Sequence, residues 1–429
     1  MFYKSLALFL FVYSSKFKFG NIQFATWEIG FAVFLIMYLL KKYVYKAKRM
    51  GWKSNYYNMW WIIELYVCIF SIVWNYWRIT VNYQLESSFP SSLLSPIIFI
   101  IFALVAPKMV LYTYNDFWEF IYSLMYINLF QSIFCLIELR WMPLKNWLYE
   151  HVANEGNVSY LVTYRAKGIG GEGAALSVAI SFGILAACII LSEKEKKIRY
   201  YLYILIMFAS LILVGRTGIY TGILFVLGYM YVIYHKKKKE SSHLKININT
   251  LFFFILVSIA VIAVMLWRIT TDNFIEILQE HNLGSAYGRI GQTYRIGLFM
   301  EDFLSWKFPK INLDSILGYG TRMYTDGRNV IYGDNGYIIN TLIYGYFVGS
   351  IRYGVLAIYL YNVWRPIKNF QHGKLLGMLI PLTFILNTKE QFIQYNFLIF
   401  FISLIFMSYA ATGNMKQNSK SFERNKYVN

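Results

Sequence analysis

Apolar runs follow one another along the chain at 2–15, 24–40, 59–77, 93–112, 117–139 and 173–191, and again at 200–214, 219–234, 250–267, 337–361, 375–386 and 392–411. Each reads as a membrane-crossing helix, because about 20 helical residues span a hydrocarbon layer of about 30 Å. The runs at 2–15 and 375–386 are short for that task. The first carries one lysine and no small-residue cleavage pattern, so it predicts a first span and not a signal peptide. The pattern predicts an all-α polytopic membrane protein with about 12 transmembrane helices, forming a single integral membrane domain over 1–429.

Composition supports this. Of 429 residues, 58% are apolar, 20% aromatic and 15% charged, with a mean hydropathy of +0.44, which excludes a water-soluble domain. The net charge of +19, from 41 basic and 22 acidic residues, would suggest nucleic acid in a soluble chain. Here the basic residues cluster at 41–53, 194–199, 236–245, 365–374 and 416–426, and with twelve spans every cluster falls on one face. Short basic loops stay in the cytoplasm, so both termini are cytoplasmic in an inner membrane. Losing any one span would split the clusters between faces. The cytoplasmic side then carries +18 and the outer side +1, while Glu64 and Arg352 cancel within spans. The excess charge reports orientation, and no nucleic-acid partner is expected. An outer anion site must come from the local placement of a few arginines.

The outer face has two substantial segments: a medium loop at 140–172 and a large loop at 268–334 between spans 9 and 10. The large loop holds Gly284, Gly288, Gly291, Gly297, Gly318, Gly320, Gly327 and Gly333 and predicts folded turns with short helices. Within it, Phe274, Ile277 and Leu278 share one helical face, which fits a helix resting on the membrane surface. The longest cytoplasmic segments, 41–58 and 412–429, are 18 residues each, far shorter than the large outer loop, so chemistry belongs outside. Cys68, Cys135 and Cys188 all lie in apolar stretches, arguing against disulfides and thiolate metal sites.

Several chemistries are missing. No Asp-x-Asp pair occurs, and His151, His235, His243, His281 and His372 have no ligand spacing. The chain lacks a P-loop, a dinucleotide fingerprint and a nucleophile elbow. No metal and no cofactor are expected.

Four features carry candidate chemistry. Gly215, Arg216, Thr217 and Gly218 sit between two closely spaced spans, which puts Arg216 at the outer boundary with small neighbours. It is either a snorkelling interfacial arginine or an anion site, a guanidinium fork suiting a phosphate oxygen pair. Arg289, Gln292 and Arg295 project within an arc of about 120° if helical, as a second phosphate- or sugar-binding face or as solvated surface. Arg165 and Lys167 lead into Gly168, Gly170, Gly171, Glu172 and Gly173, either plain loop or a diphosphate cradle. Asp334 and Asn335 stand where the large loop becomes apolar helix. There an aspartate serves as helix cap, or as the carboxylate that orients or deprotonates a sugar hydroxyl.

The arrangement resembles the bacterial O-antigen and capsule repeat-unit polymerases (Wzy type) and their sister O-antigen ligases. The likeness covers the architecture of the whole chain and three local strings: GRTG at 215–218, LGYG at 317–320, and DNGYIINTLIYGYFVGS at 334–350. It implies a GT-C-like fold and a metal-independent transfer between undecaprenyl-diphosphate-linked glycans at the outer face. Arg216 and Arg289 or Arg295 then bind diphosphate, and Asp334 is the candidate base. A family pattern of Arg eleven residues before Gly is met by Arg322 and Gly333. It fails in the medium loop, where Arg165 leads to Leu176 and Arg140 to His151. The ligases carry a histidine where this chain has Asp334, which favours polymerase over ligase. The implied partners are lipid-linked glycans, membrane lipid and a chain-length regulator protein. The alternatives are an O-antigen ligase and, from another class, a lipid-linked-oligosaccharide flippase.

Overall fold

A computed structural model describes residues 2–13, 16–19, 22–44, parts of 62–77, 106–114, 116–153, 166, 168–170, 173–194, 196–239, 308–319, 335–369, 373–389 and parts of 398–409. The described residues are predominantly helical. Among them, three helices are long and apolar enough to cross a membrane, at 117–138, 173–192 and 336–367. The chain divides into two compact units, one of 1–36 with 118–299 and one of 37–117 with 300–429.

The first unit is built on α4 (Phe117–Arg140) and α6 (Gly173–Glu193). The expected spans at 117–139 and 173–191 match these two within two residues. Every residue of α6 from 176 to 192 is buried, as an all-apolar helix at the centre of a bundle must be. Two further helices complete the bundle, α7 (Ile198–Val214) and α8 (Arg216–Lys239). The first helix, α1 (Phe2–Val12), lies parallel to α4 along a polar seam. Lys4 pairs with Glu119 at 2.6 Å, Ser5 donates to Ser123 at 3.0 Å, and the Tyr13 hydroxyl donates to Asn128 Oδ1. At about 1.5 Å per residue its 11 residues reach about 17 Å, about half a bilayer core. The helix α2 (Thr26–Leu39) continues as a π-helical turn to Val44 and packs on α1 through Gly30, where a Cβ would stand 2.6 Å from Phe11 N.

Between α1 and α2 the chain forms a small antiparallel hairpin, β1 (Lys16–Phe19) and β2 (Ile22–Ala25). After α5 (Met142–His151), β3 (Val152–Ala153) pairs with β1, giving the sheet order β2-β1-β3. Strands are a departure from the all-α expectation. Lys16-Phe17-Lys18-Phe19 alternates, and Gly20-Asn21 is a two-residue hairpin signal.

In the second unit, α3 (Ala106–Thr113) is the described end of the run at 93–112, and Lys41 Nζ donates to its Thr113 carbonyl at 3.0 Å. The described positions of 62–77 are helical. Within the large loop a short helix, α9 (Leu313–Leu317), opens with a reciprocal cap: Ser315 N donates to Asn312 Oδ1 at 2.7 Å and Asn312 N to Ser315 Oγ at 2.8 Å.

The run at 337–361, expected as one span, forms α10 (Gly336–Trp364), which breaks at Gly345 (φ 76, ψ 170). Sixteen helical residues rise about 24 Å, yet the Tyr337 and Tyr353 rings lie 5.0 Å apart and the Tyr353 hydroxyl donates to the Gly336 carbonyl at 3.4 Å. The helix is therefore a hairpin, with a short limb at 336–344 folded back along a long limb at 346–364. The expected span at 375–386 is two short helices, α11 (Gly373–Gly377) and α12 (Leu379–Leu386). Trp364 Nε1 donates to the Gly373 carbonyl at 2.6 Å and closes the turn between α10 and α11. The expected span at 250–267 and the helix at 273–283 lie outside the described residues.

Candidate functional site

In the first unit, α7 and α8 are joined by one non-helical residue, Gly215. Three glycines let the turn close onto α6. A Cβ on Gly215 would stand 3.2 Å from the Gly173 carbonyl oxygen, one on Gly218 2.3 Å from that of Ser177, and one on Gly222 2.9 Å from Ile184 Cδ1. The positions rise together on both helices, so α6 and α8 run parallel with their N-termini side by side. Ser177 ties the two first turns: its hydroxyl donates to Ala174 O at 2.8 Å and accepts from Gly218 N at 3.0 Å.

Gly215 and Gly218 are buried against α6, and helix contact requires them. Arg216 is the first residue of α8. Two helix N-termini, each with first-turn N–H donors, abut here; Ser177 takes up the one on Gly218, and the C-terminus of α7 lies in the same turn. The remaining donors can take an oxyanion.

The glycine-rich segment before α6 reaches the same end. Gly168 (φ 61) sits on α4, where its N–H donates to the buried Glu138 carboxylate at 2.7 Å, and a Cβ there would stand 2.1 Å from Gln131 Nε2. Ile169 N donates to Gln131 Oε1 at 3.4 Å. Two separate sequence features, GRTG and the glycine-rich approach to Gly173, thus meet at one place. Glu138 and Gln131 seat that approach, although the sequence reading did not single them out. Their signal was an ionisable and an amide side chain inside an otherwise apolar run.

In the second unit the other two strings meet. Gly318 (φ 94) of LGYG docks into the elbow of α10: a Cβ there would stand 2.6 Å from the Ile343 carbonyl oxygen, and one on Gly345 2.4 Å from Gly318 N. Tyr319 N donates to the Leu342 carbonyl at 2.6 Å, taking up a backbone acceptor at the break. Trp74 Nε1 donates to Gly318 O at 3.3 Å and Tyr346 Oη to Pro309 O at 2.7 Å.

The cap of α10 is Asn335, one residue after Asp334. Asn335 Oδ1 accepts from Tyr337 N at 2.8 Å and Ile338 N at 3.3 Å, while its Nδ2 donates to Thr388 O at 2.8 Å. Both ends of this carboxamide are engaged within the protein, which gives Asn335 a structural role as the cap of α10. Gly336 N donates to Asn387 O at 2.9 Å, and Asn387 Nδ2 donates to the Tyr353 hydroxyl at 3.1 Å. Asn335, Asn387, Thr388 and Tyr353 thus form a polar knot alongside the middle of the long limb. Asp334, Arg165, Lys167, Arg289, Gln292, Arg295 and Arg322 lie outside the described residues, as does the side chain of Arg216. No family model, curated protein or solved structure matches this chain.

Proposed function

We propose that the protein is a polymerase of undecaprenyl-diphosphate-linked oligosaccharide repeat units, acting at the outer face of the cytoplasmic membrane. The observation that carries this reading is the meeting of the α6 and α8 N-termini, with Arg216 at the first position of α8 and the glycine-rich approach beside it. A diphosphate fits such an end, and a diphosphate is the leaving group of this transfer.

In the proposed reaction a hydroxyl at the non-reducing end of the acceptor unit attacks the anomeric carbon of the donor glycan. The new glycosidic C–O bond forms as the bond to the diphosphate breaks, and the electron pair leaves with the lipid diphosphate. The hydroxyl proton passes to a base, for which Asp334 is the candidate. Charge grows on phosphate oxygens in the transition state, so fixed cations placed there lower the barrier. Arg216 with Arg289 and Arg295 supplies them in this scheme. The wider reading keeps twelve spans in a GT-C-like fold, cytoplasmic termini and a chain-length regulator as partner.

Support for that topology comes from which ends touch. Within the first unit the 16–25 hairpin pairs with 152–153, and Gly215 meets Gly173. Within the second, 335–336 meets 387–388 and Trp74 meets Gly318. Each contact joins segments that the charge pattern assigns to the outer side. Lys41 with Thr113, and Lys194 over the Trp118 ring at 5.5 Å, join segments assigned to the cytoplasm.

Deleting the gene in its host and examining the surface glycan tests the function. Glycans one repeat unit long and still attached are expected. Complete polymer stranded on lipid would instead identify a ligase, and units trapped on the inner face a flippase.

A further inference from the structure

The elbow of α10 holds a second concentration of donors, in a unit separate from the α6–α8 end. Arg352, on the long limb, is 9% exposed, and its guanidinium lies 4.0 Å over the ring of Tyr344, the last residue of the short limb. A ring covers one face of a guanidinium and leaves its N–H groups directed sideways in the plane. Asn340, from the short limb, is 5% exposed, and its Nδ2 has no hydrogen-bond partner among the described residues. That nitrogen stands 2.8 Å from where a Cβ on Gly349 would be, so it is aimed at the first turn of the long limb. The break at Gly345 starts a new helix there, and first-turn N–H groups point back toward the elbow.

We propose that the crook of the α10 hairpin is a binding site for a phosphate group, held by Arg352, Asn340 and the first turn of 346–364. A buried amide donor left unmatched costs free energy, and a phosphate oxygen satisfies it. Gly349 has a reason to lack a side chain, because any Cβ would displace the Asn340 amide from the crook. The site does not depend on the transferase reading.

The test uses the full chain in nanodiscs, with two probes. Inorganic phosphate is titrated by calorimetry into phosphatidylcholine discs, and phosphatidic acid is mixed into the discs and counted by native mass spectrometry. Saturable binding of either probe is expected, the first identifying a free anion and the second a lipid headgroup. Arg352→Gln is expected to weaken it by at least about tenfold, the scale of a lost charge-assisted hydrogen bond. Asn340→Asp guards against misfolding as the explanation. It keeps the size of the side chain and puts a carboxylate where the amide stood, so a variant that still unfolds cooperatively is expected to lose phosphate binding. Absence of saturable binding of both probes, or binding unchanged in both variants, overturns the proposal.

Discussion

Replacing Gly345 by alanine attacks the α10 hairpin at its vertex. Its backbone, at φ 76 and ψ 170, lies where glycine alone is at ease, and forcing another residue there costs about 1–3 kcal/mol. The new Cβ would also stand 2.3 Å from the Ile316 carbonyl oxygen and 2.4 Å from Gly318 N. Both are backbone atoms that move only if the α9 segment moves. Overpacking of that kind costs about 1–3 kcal/mol, so the substitution should destabilise by about 2–6 kcal/mol in all. Gly354→Ala, on the long limb of the same helix, is the control. Nothing lies within 4 Å of its added Cβ, and glycine to alanine inside a helix gains about 0.5–1 kcal/mol. Thermal unfolding of the detergent-solubilised chain, followed by far-ultraviolet circular dichroism, should show Gly345→Ala melting well below wild type and Gly354→Ala slightly above. A short bismaleimide should join Tyr337→Cys to Tyr353→Cys within one chain. Equal melting temperatures for wild type and Gly345→Ala, or no cross-link, would refute the hairpin geometry.

Four further outcomes follow from the same contacts. Glu119→Ala leaves the Lys4 ammonium buried and should cost about 3–5 kcal/mol, whereas joint replacement of Lys4 and Glu119 by methionine and leucine recovers most of it in a denaturation series. Asn335→Ala should cost about 1–2 kcal/mol, while Asn335→Asp retains the cap and loses only the bond to Thr388, about 1 kcal/mol by the same measurement. Because the cap is Asn335, Asp334→Asn tests the base role alone: polymer yield in the complemented deletion strain should collapse with melting unchanged, and full yield would remove Asp334 from the mechanism. Arg216→Lys should shorten the polymer distribution on a gel if the guanidinium fork matters, since lysine keeps the charge and loses the paired geometry.

The apolar runs placed α4, α6, α7 and α8 to within a few residues, because each is long and bounded by polar residues or glycine: Asp116 and Arg140 for α4, and glycine or lysines for the others. The hairpin of α10 was hidden for a different reason. Three glycines, Gly345, Gly349 and Gly354, punctuate one apolar run, and local sequence ranks none of them as the break. Gly318, 27 residues upstream, selects Gly345 by docking against it, and such a choice is tertiary. The cap at the start of α10 was legible to one residue, since Asp334 and Asn335 are both good caps. GRTG was visible as a motif, but the reason for its glycines, the closeness of α6, was not. The pairing of LGYG with the 334–350 string has no one-dimensional signature at all.

The small sheet has a consequence for the order in which the protein is made. β1 leaves the ribosome about 135 residues ahead of β3, a wait of about 7–27 s at 5–20 residues per second. During that interval Lys4 and Ser5 on α1, and Tyr13 just after it, also lack Glu119, Ser123 and Asn128, all of which belong to α4. The first hairpin must therefore be held by lipid, by water or by the insertion machinery, with its polar seam unmatched, until α4 arrives. Assembly of this end is governed by the fifth hydrophobic run, and a stalled chain ending before residue 117 would expose a polar helix that a quality-control protease recognises.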